Sequence, residues 1–241
     1  MRFMSMHKST KSMEAGELPS QRLMEGMGPL MEDAIRAGIF IAGEGLRQSA
    51  LGVRLEISGG KQTLTKGPLT GSNEWIDRYL IVRTRSIDEA VEWAVRFAGD
   101  ADDAVLDIRP VTEPWDLGMM PKPAGETGTR FMIIHKGNPA SDPAADGRGL
   151  AEFIRLRQEM RDAGVLLSAE LLTPGPEATR LHFTRGKRTV LDGPFAESKE
   201  LIAGFSIMKF DSRDEAIAWS TRFAELFDED LEIDIRPLHD V

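Results

Sequence analysis

The chain repeats itself once, and that constrains its fold more than any local motif. "RFMSMHK" at 2–8 returns as "RFMIIHK" at 130–136, "AGIFIAGE" at 37–44 as "AGVLLSAE" at 163–170, and "KQTLTKGPL" at 61–69 as "KRTVLDGPF" at 187–195. "SIDEAVEWAVRFA" at 86–98 returns as "SRDEAIAWSTRFA" at 212–224, and "DIRP" closes both units at 107–110 and 234–237. Order is kept and the offset stays between 126 and 128 residues, so one structural solution must serve twice. The copies occupy 1–111 and 130–241. Between them, 112–129 alternates Pro114, Pro121 and Pro123 with Gly118, Gly125 and Gly128 and reads as a linker. Its Trp115, Met119 and Met120 suggest that it lies against a surface.

Each copy has the same pattern. A short apolar strand is followed by a loop and an amphipathic helix, at about 20–36 and 148–162, with Gly28-Pro29 expected to start or kink the first of these. Three strands come next, then a helix opened by a capping box in which Ser86 or Ser212 faces Glu89 or Glu215, then a strand ending in "DIRP". This is the β-α-β-β-(turn)-β-α-β order of a ferredoxin-like α+β fold, with an extra hairpin-like excursion carrying the Gly-Pro motif. Helices cover one face of such a sheet, yet both faces of the first strand are apolar (Phe3 and Met4; Phe131, Met132, Ile133 and Ile134). The uncovered face needs a partner. The tandem copy supplies one, so the two sheets are expected to pack face to face as an intramolecular pseudo-dimer, with a small-molecule cleft between them.

Composition narrows the chemistry. The 241 residues contain no cysteine, which excludes disulfides, thiolate catalysis and sulfur-ligated metals. A net charge of −9 without any lysine or arginine run argues against a nucleic-acid ligand. No segment approaches the roughly 20 apolar residues of a membrane span, so a cytoplasmic location is expected. No nucleophile elbow, phosphate loop or dinucleotide fingerprint is present. The four histidines are scattered, with no spacing that suggests a metal site, and no cofactor is implied.

"DGPFAESKELIAGF" (192–205), together with "RFMIIHK", the "SRDEAIAW" helix and the closing "EIDIRP", resembles the YCII-related proteins, specifically their DGPF branch. The resemblance covers nearly the whole chain, once per copy. It implies a dimeric α+β barrel fold and a family that includes small-molecule lyases such as a dehydrochlorinase. It also implies a His–Asp pair as the catalytic group of the YCII branch and, for DGPF proteins, genes beside or fused to those of extracytoplasmic-function sigma factors. The chain departs from that pattern. The position of the YCII histidine falls near Gly26 in the first copy and near Glu152 or Phe153 in the second, and neither is histidine. In the first copy "KGPL" (66–69) replaces "DGPF".

The candidate catalytic residues are Asp192, His135 and His7. Asp192 can fix the Gly-Pro turn or serve as a general acid or base; Lys66 at the matching position accepts no hydrogen bond and so cannot fill the turn-fixing role. His7 and His135 end the first strand of each copy, on the face of Phe3 and Ser5 or of Phe131 and Ile133. Glu44 and Glu170 lie inside apolar strands and need partners. Arg54 and Arg180 could pair with them or bind an anion. With Lys66, these four are the candidate substrate-binding residues. Glu197, Lys199 and Glu200 read as a solvated cluster.

The leading functional reading is a small organic molecule held between the sheets, with cofactor-independent acid–base chemistry of lyase, isomerase or cyclase type. The competing reading is a non-catalytic accessory or regulatory protein with a protein partner, linked to an extracytoplasmic-function sigma factor. The chain acts as a monomeric pseudo-dimer or as a homodimer in either case.

Overall fold

A computed structural model describes residues 1–71, 75–193, 195 and 201–240. Glu74, Glu197, Lys199 and Glu200 lie outside them. The first half runs β1 (Arg2–Lys8), α1 (Lys11–Glu14), α2 (Gln21–Arg36), β2 (Phe40–Gly45), β3 (Val53–Ser58), β4 (Lys61–Lys66), β5 (Ile76–Thr84), α3 (Ile87–Ala98) and β6 (Asp103–Pro110). The second runs β7 (Thr129–Lys136), α4 (Gly147–Asp162), β8 (Leu166–Leu171), β9 (Thr179–Thr184), β10 (Lys187–Asp192), β11 (Ile202–Lys209), α5 (Arg213–Ala224) and β12 (Leu231–Pro237). Ser86 and Ser212 cap α3 and α5 by accepting from the backbone N–H of Glu89 and Glu215, as the capping boxes predict. Pro29 does not interrupt α2, which runs unbroken through it. Gly38 and Gly164, at positive φ, end α2 and α4.

The strands form two six-stranded antiparallel sheets, ordered β10-β9-β12-β1-β11-β2 (sheet A) and β4-β3-β6-β7-β5-β8 (sheet C). The sheets do not follow the repeat. Each takes the first two strands of one copy and the last four of the other: β1 sits between β11 and β12, and β7 between β5 and β6. Sheet C is therefore built from continuous chain, 53–171, while sheet A joins the two ends of the molecule. The period read from sequence marks similar elements, and the sheets exchange them.

Alternation along the strands makes three apolar layers. Phe131, Ile133, Leu80, Leu106 and Leu55 pack under α3 and α4. Phe3, Leu181, Ile233 and Ile235 pack under α2 and α5. The inner faces of the two sheets meet through Met4, Met6, Tyr79, Met132, Ile134, Phe205 and Ile207, with the Tyr79 and Phe205 rings 5.2 Å apart across the interface. Backbone bridges stitch the sheets at two corners, Leu46 to Val111 and Leu172 to Leu238. There the "DIRP" arginines act as staples. Arg109 donates to the carbonyls of Ile202 and Arg47, and Arg236 to those of Ile76 and Thr173 while its guanidinium lies 3.9 Å over the Trp75 ring. Burial lowers the pKa of Arg236 to about 9.

The expected cleft between the sheets is thus occupied, among the described residues, by packed side chains. Methionines and aromatics on both inner faces meet with little or no solvent exposure. Among the described residues no helix is long and apolar enough to cross a membrane.

Candidate functional site

The Gly-Pro motif does not form the hairpin tip. The tips are Gly59-Gly60 and Arg185-Gly186, and the motif lies where β4 and β10 end. Its glycine is required by close packing. A Cβ on Gly67 would lie 1.9 Å from the Ser49 carbonyl oxygen, and one on Gly193 would lie 2.1 Å from that of Gly175. Both glycines donate backbone hydrogen bonds into the same short turns, to Gly52 and Ala178. The residue before the glycine is exposed in each copy. Asp192 pairs with Arg213 at the start of α5 (3.0 Å), with most of its side chain in solvent, and Lys66 is likewise at the surface.

Beside each Gly-Pro corner lies a buried ion triad. Arg54 makes a two-pronged contact with Asp107 (2.6 and 2.9 Å), and Lys136 reaches the same carboxylate at 2.8 Å. Its counterpart joins Arg180 to Asp234 (2.7 and 2.9 Å) with Lys8 at 2.9 Å. Phe195 of the DGPF motif covers Arg180, with the guanidinium 4.4 Å from the ring centroid. Burial pushes both aspartates up, but the arginine hydrogen bonds and the arginine and lysine charges outweigh it and hold both below the usual carboxylate range. Lys8 comes from the first copy and Asp234 from the second, and Lys136 with Asp107 reverses the exchange. Among the described residues, a further acid stands beside the second triad. Glu232 lies 3.1 Å from Arg180 and 3.2 Å from His182, and burial raises its pKa.

Glu44 and Glu170 find their partners by the same exchange. Glu170 binds Arg2 through both oxygens at 2.8 Å, and Glu44 binds Arg130, which also holds Glu113. Burial raises the Glu44 pKa against the pull of Arg130. These pairs tie the start of each copy to the other copy's strand.

The histidines turn away from the inter-sheet layer, toward the helices, and their surroundings differ. His7 lies 5.2 and 5.9 Å from the Phe223 and Phe227 rings, and burial lowers its pKa to about 4. His135 has polar neighbours: Nδ1 is 2.8 Å from Asp77 Oδ1, and Nε2 is 3.1 Å from Arg78 Nη2. A carboxylate only accepts and a guanidinium only donates, so these contacts orient an Nδ1–H toward Asp77 and the Nε2 lone pair toward Arg78. Arg78 also packs over Phe97 at 5.3 Å. It forms the floor of a cavity of about 510 Å³ between α3 and α4, walled by Phe97, Phe153 and Leu156 and rimmed by charged side chains. Asp192 is in sheet A and His135 in sheet C, so the structure does not bring the two together. Among the described residues no three His, Asp or Glu side chains converge as a metal centre requires.

Residues 129–228 match the YCII-related domain. An uncharacterized protein of Rhizobium meliloti (strain 1021) is 30% identical over 93 residues, which are 39% of this chain and 75% of that protein. The chain belongs to the YCII-related family. No solved structure matches it. The matched YCII-related segment begins on β7 and so contains His135, all of α4 and the DGPF corner. It divides between the sheets, giving β7 and β8 to sheet C and β9 to β11 to sheet A. The position expected of the YCII-branch histidine falls near Glu152 or Phe153, both of which line the α3–α4 cavity.

The sequence reading overlooked Asp77 and Arg78. Their signal was available in the repeat: at the matching positions the second copy has Ala203 and Gly204. An aspartate and an arginine thus stand in place of two small residues beside a histidine kept in both copies.

Proposed function

We propose that the cleft between α3 and α4 is a small-molecule site and that His135 performs cofactor-independent acid–base chemistry there, of lyase, isomerase or cyclase type. The observation that carries this reading is the non-equivalence of two related clefts. The α2–α5 cleft has Leu226 and Phe227 where the α3–α4 cleft has Asp100 and Ala101, and its histidine packs against the Phe223 and Phe227 rings. The α3–α4 cleft is open and presents a cation on its floor. In it, Asp77 fixes the tautomer of His135 and supports the imidazolium that forms when Nε2 takes a proton. Arg78 stands between Nε2 and the cavity, so a ligand that draws the guanidinium forward uncovers the base. In this reading the first copy is a YCII-like unit without a DGPF acid, and the chain is an intramolecular pseudo-dimer. The exchanged strands and the packed inner faces support that arrangement.

Backbone amide spectra recorded during a screen of small organic molecules test the site. Binders are expected to shift Arg78, Phe97 and Glu152 and to leave Gly26 and Leu226 unmoved; binders that cluster elsewhere count against it. A substrate found this way should be turned over by the wild type and not by His135→Gln.

A further inference from the structure

We infer that the ligand of the α3–α4 cleft is a small monocarboxylate with an aromatic or comparably apolar body, its carboxylate seated on Arg78. This rests on the reading of that cleft as the binding site. The floor and the rim are electrically different. At the rim the charges are paired with one another: Arg148 with Asp100 (2.9 Å) and Glu152 (3.1 Å), Arg155 with Glu159 (3.1 Å). These ion pairs are exposed and need no ligand.

Arg78 is a different case. Its side chain is 17% exposed, and the nearest carboxylate, Asp77, is 4.0 Å from Nε and already engaged by His135. Among the described residues the Nε–H is buried without a hydrogen-bond acceptor. One Nη2–H goes to His135, and the Phe97 ring covers a face of the guanidinium. A buried N–H of a cation left without an acceptor is costly, and a carboxylate matches the fork of N–H groups on one guanidinium. Above it Phe97, Phe153 and Leu156 line the cavity with apolar side chains, the two rings packed on each other at 6.0 Å. Charge count selects the monoanion: the rim charges are paired with one another, and the one floor guanidinium is neutralised by a carboxylate and exceeded by a dianionic phosphate.

Benzoate, phenyl phosphate and benzyl alcohol titrated into the full chain, followed by backbone amide shifts, separate the possibilities. Benzoate is expected to bind in the cleft and to bind at least about tenfold more tightly than the other two. Arg78→Met should weaken benzoate by about tenfold or more and leave benzyl alcohol unchanged, while Arg78→Lys, checked for the same thermal midpoint, should keep part of the affinity. Ala101→Phe, which installs the ring found in the second cleft, should remove binding of all three with Arg78 intact. Benzyl alcohol or phenyl phosphate binding as well as benzoate, or benzoate indifferent to Arg78→Met, overturns the carboxylate assignment and leaves the site standing. If none of the probes moves a cleft resonance, both readings fall.

Discussion

The two helix-covered clefts descend from the same pattern and have diverged at a handful of positions. On sheet A, Gly204 leaves only the room that His7 takes: a Cβ there would lie 2.6 Å from His7 Cε1. On sheet C the matching residue is Arg78, and the histidine has turned from an apolar plug into part of a polar relay. Ala101 in place of Phe227 removes the ring that packs against the histidine in the other cleft. The lesson is that duplication separates two demands. The parts retained twice, namely the Gly-Pro corner, the ion triads and the "DIRP" staples, hold the sheets together, and the parts that differ are where function is to be sought.

The largest effect should come from the shared scaffold. Asp107→Ala and Asp234→Ala each leave a buried lysine and arginine facing a lost carboxylate, and each should cost about 3–5 kcal/mol in urea unfolding. Similar costs would place both triads in the scaffold; a mild effect at one of them would mean that its cations have another use. Both aspartates have depressed folded pKa values, so their stabilisation is present above the unfolded value of about 4 and is lost as the pH falls through the folded values.

His7 should distinguish the clefts by pH. Its folded pKa, about 4, is below the 6.5 of the unfolded chain. Between those values the unfolded state binds the proton and the folded state does not, so the stabilisation is complete above pH 6.5 and declines toward pH 4. The full swing is on the order of 3 kcal/mol. His7→Phe should therefore flatten the pH dependence of stability over that window relative to wild type, and an unchanged slope would show that His7 protonates in place. His135→Phe should cost stability through the stranded Asp77 and Arg78 instead.

Phe227→Ala removes one wall of the His7 cleft and should destabilise by about 1–3 kcal/mol, because the ring is only partly buried. It opens space without a cation beneath it, so benzoate should not bind there. Binding at that position would mean that volume rather than Arg78 selects the ligand.

Much of the fold was legible in the sequence because periodicity reports which residues share a face. The strands and the capped helices follow from it. The pairing of strands between copies was not legible, since β1 has the same apolar pattern whether it completes its own sheet or the other. The inter-sheet cleft was expected for a related reason: apolar residues on the uncovered face show that something packs there, and say nothing of whether space remains. Arg54 and Arg180 were read as partners of Glu44 and Glu170 or as an anion site, and they meet the aspartates of "DIRP", which a strand-end motif does not advertise. Asp77 and Arg78 escaped because the repeat was read for what it retains rather than for where its copies disagree.

The smallest effect should be at Asp192, the residue that most distinguishes the two Gly-Pro corners. Its contact with Arg213 is an exposed pair in which both side chains stay largely solvated, and such pairs contribute about 1 kcal/mol or less. Asp192→Asn should therefore lower stability by no more than that and leave benzoate binding at the α3–α4 cleft unchanged, because the two sites lie on different sheets and share no side chain. Gly193→Ala, one position on, should be far more damaging, since its methyl group would run into the Gly175 carbonyl. A reversal of that order, with the acid critical and the glycine tolerant, would move the functional site of this chain back to the DGPF corner.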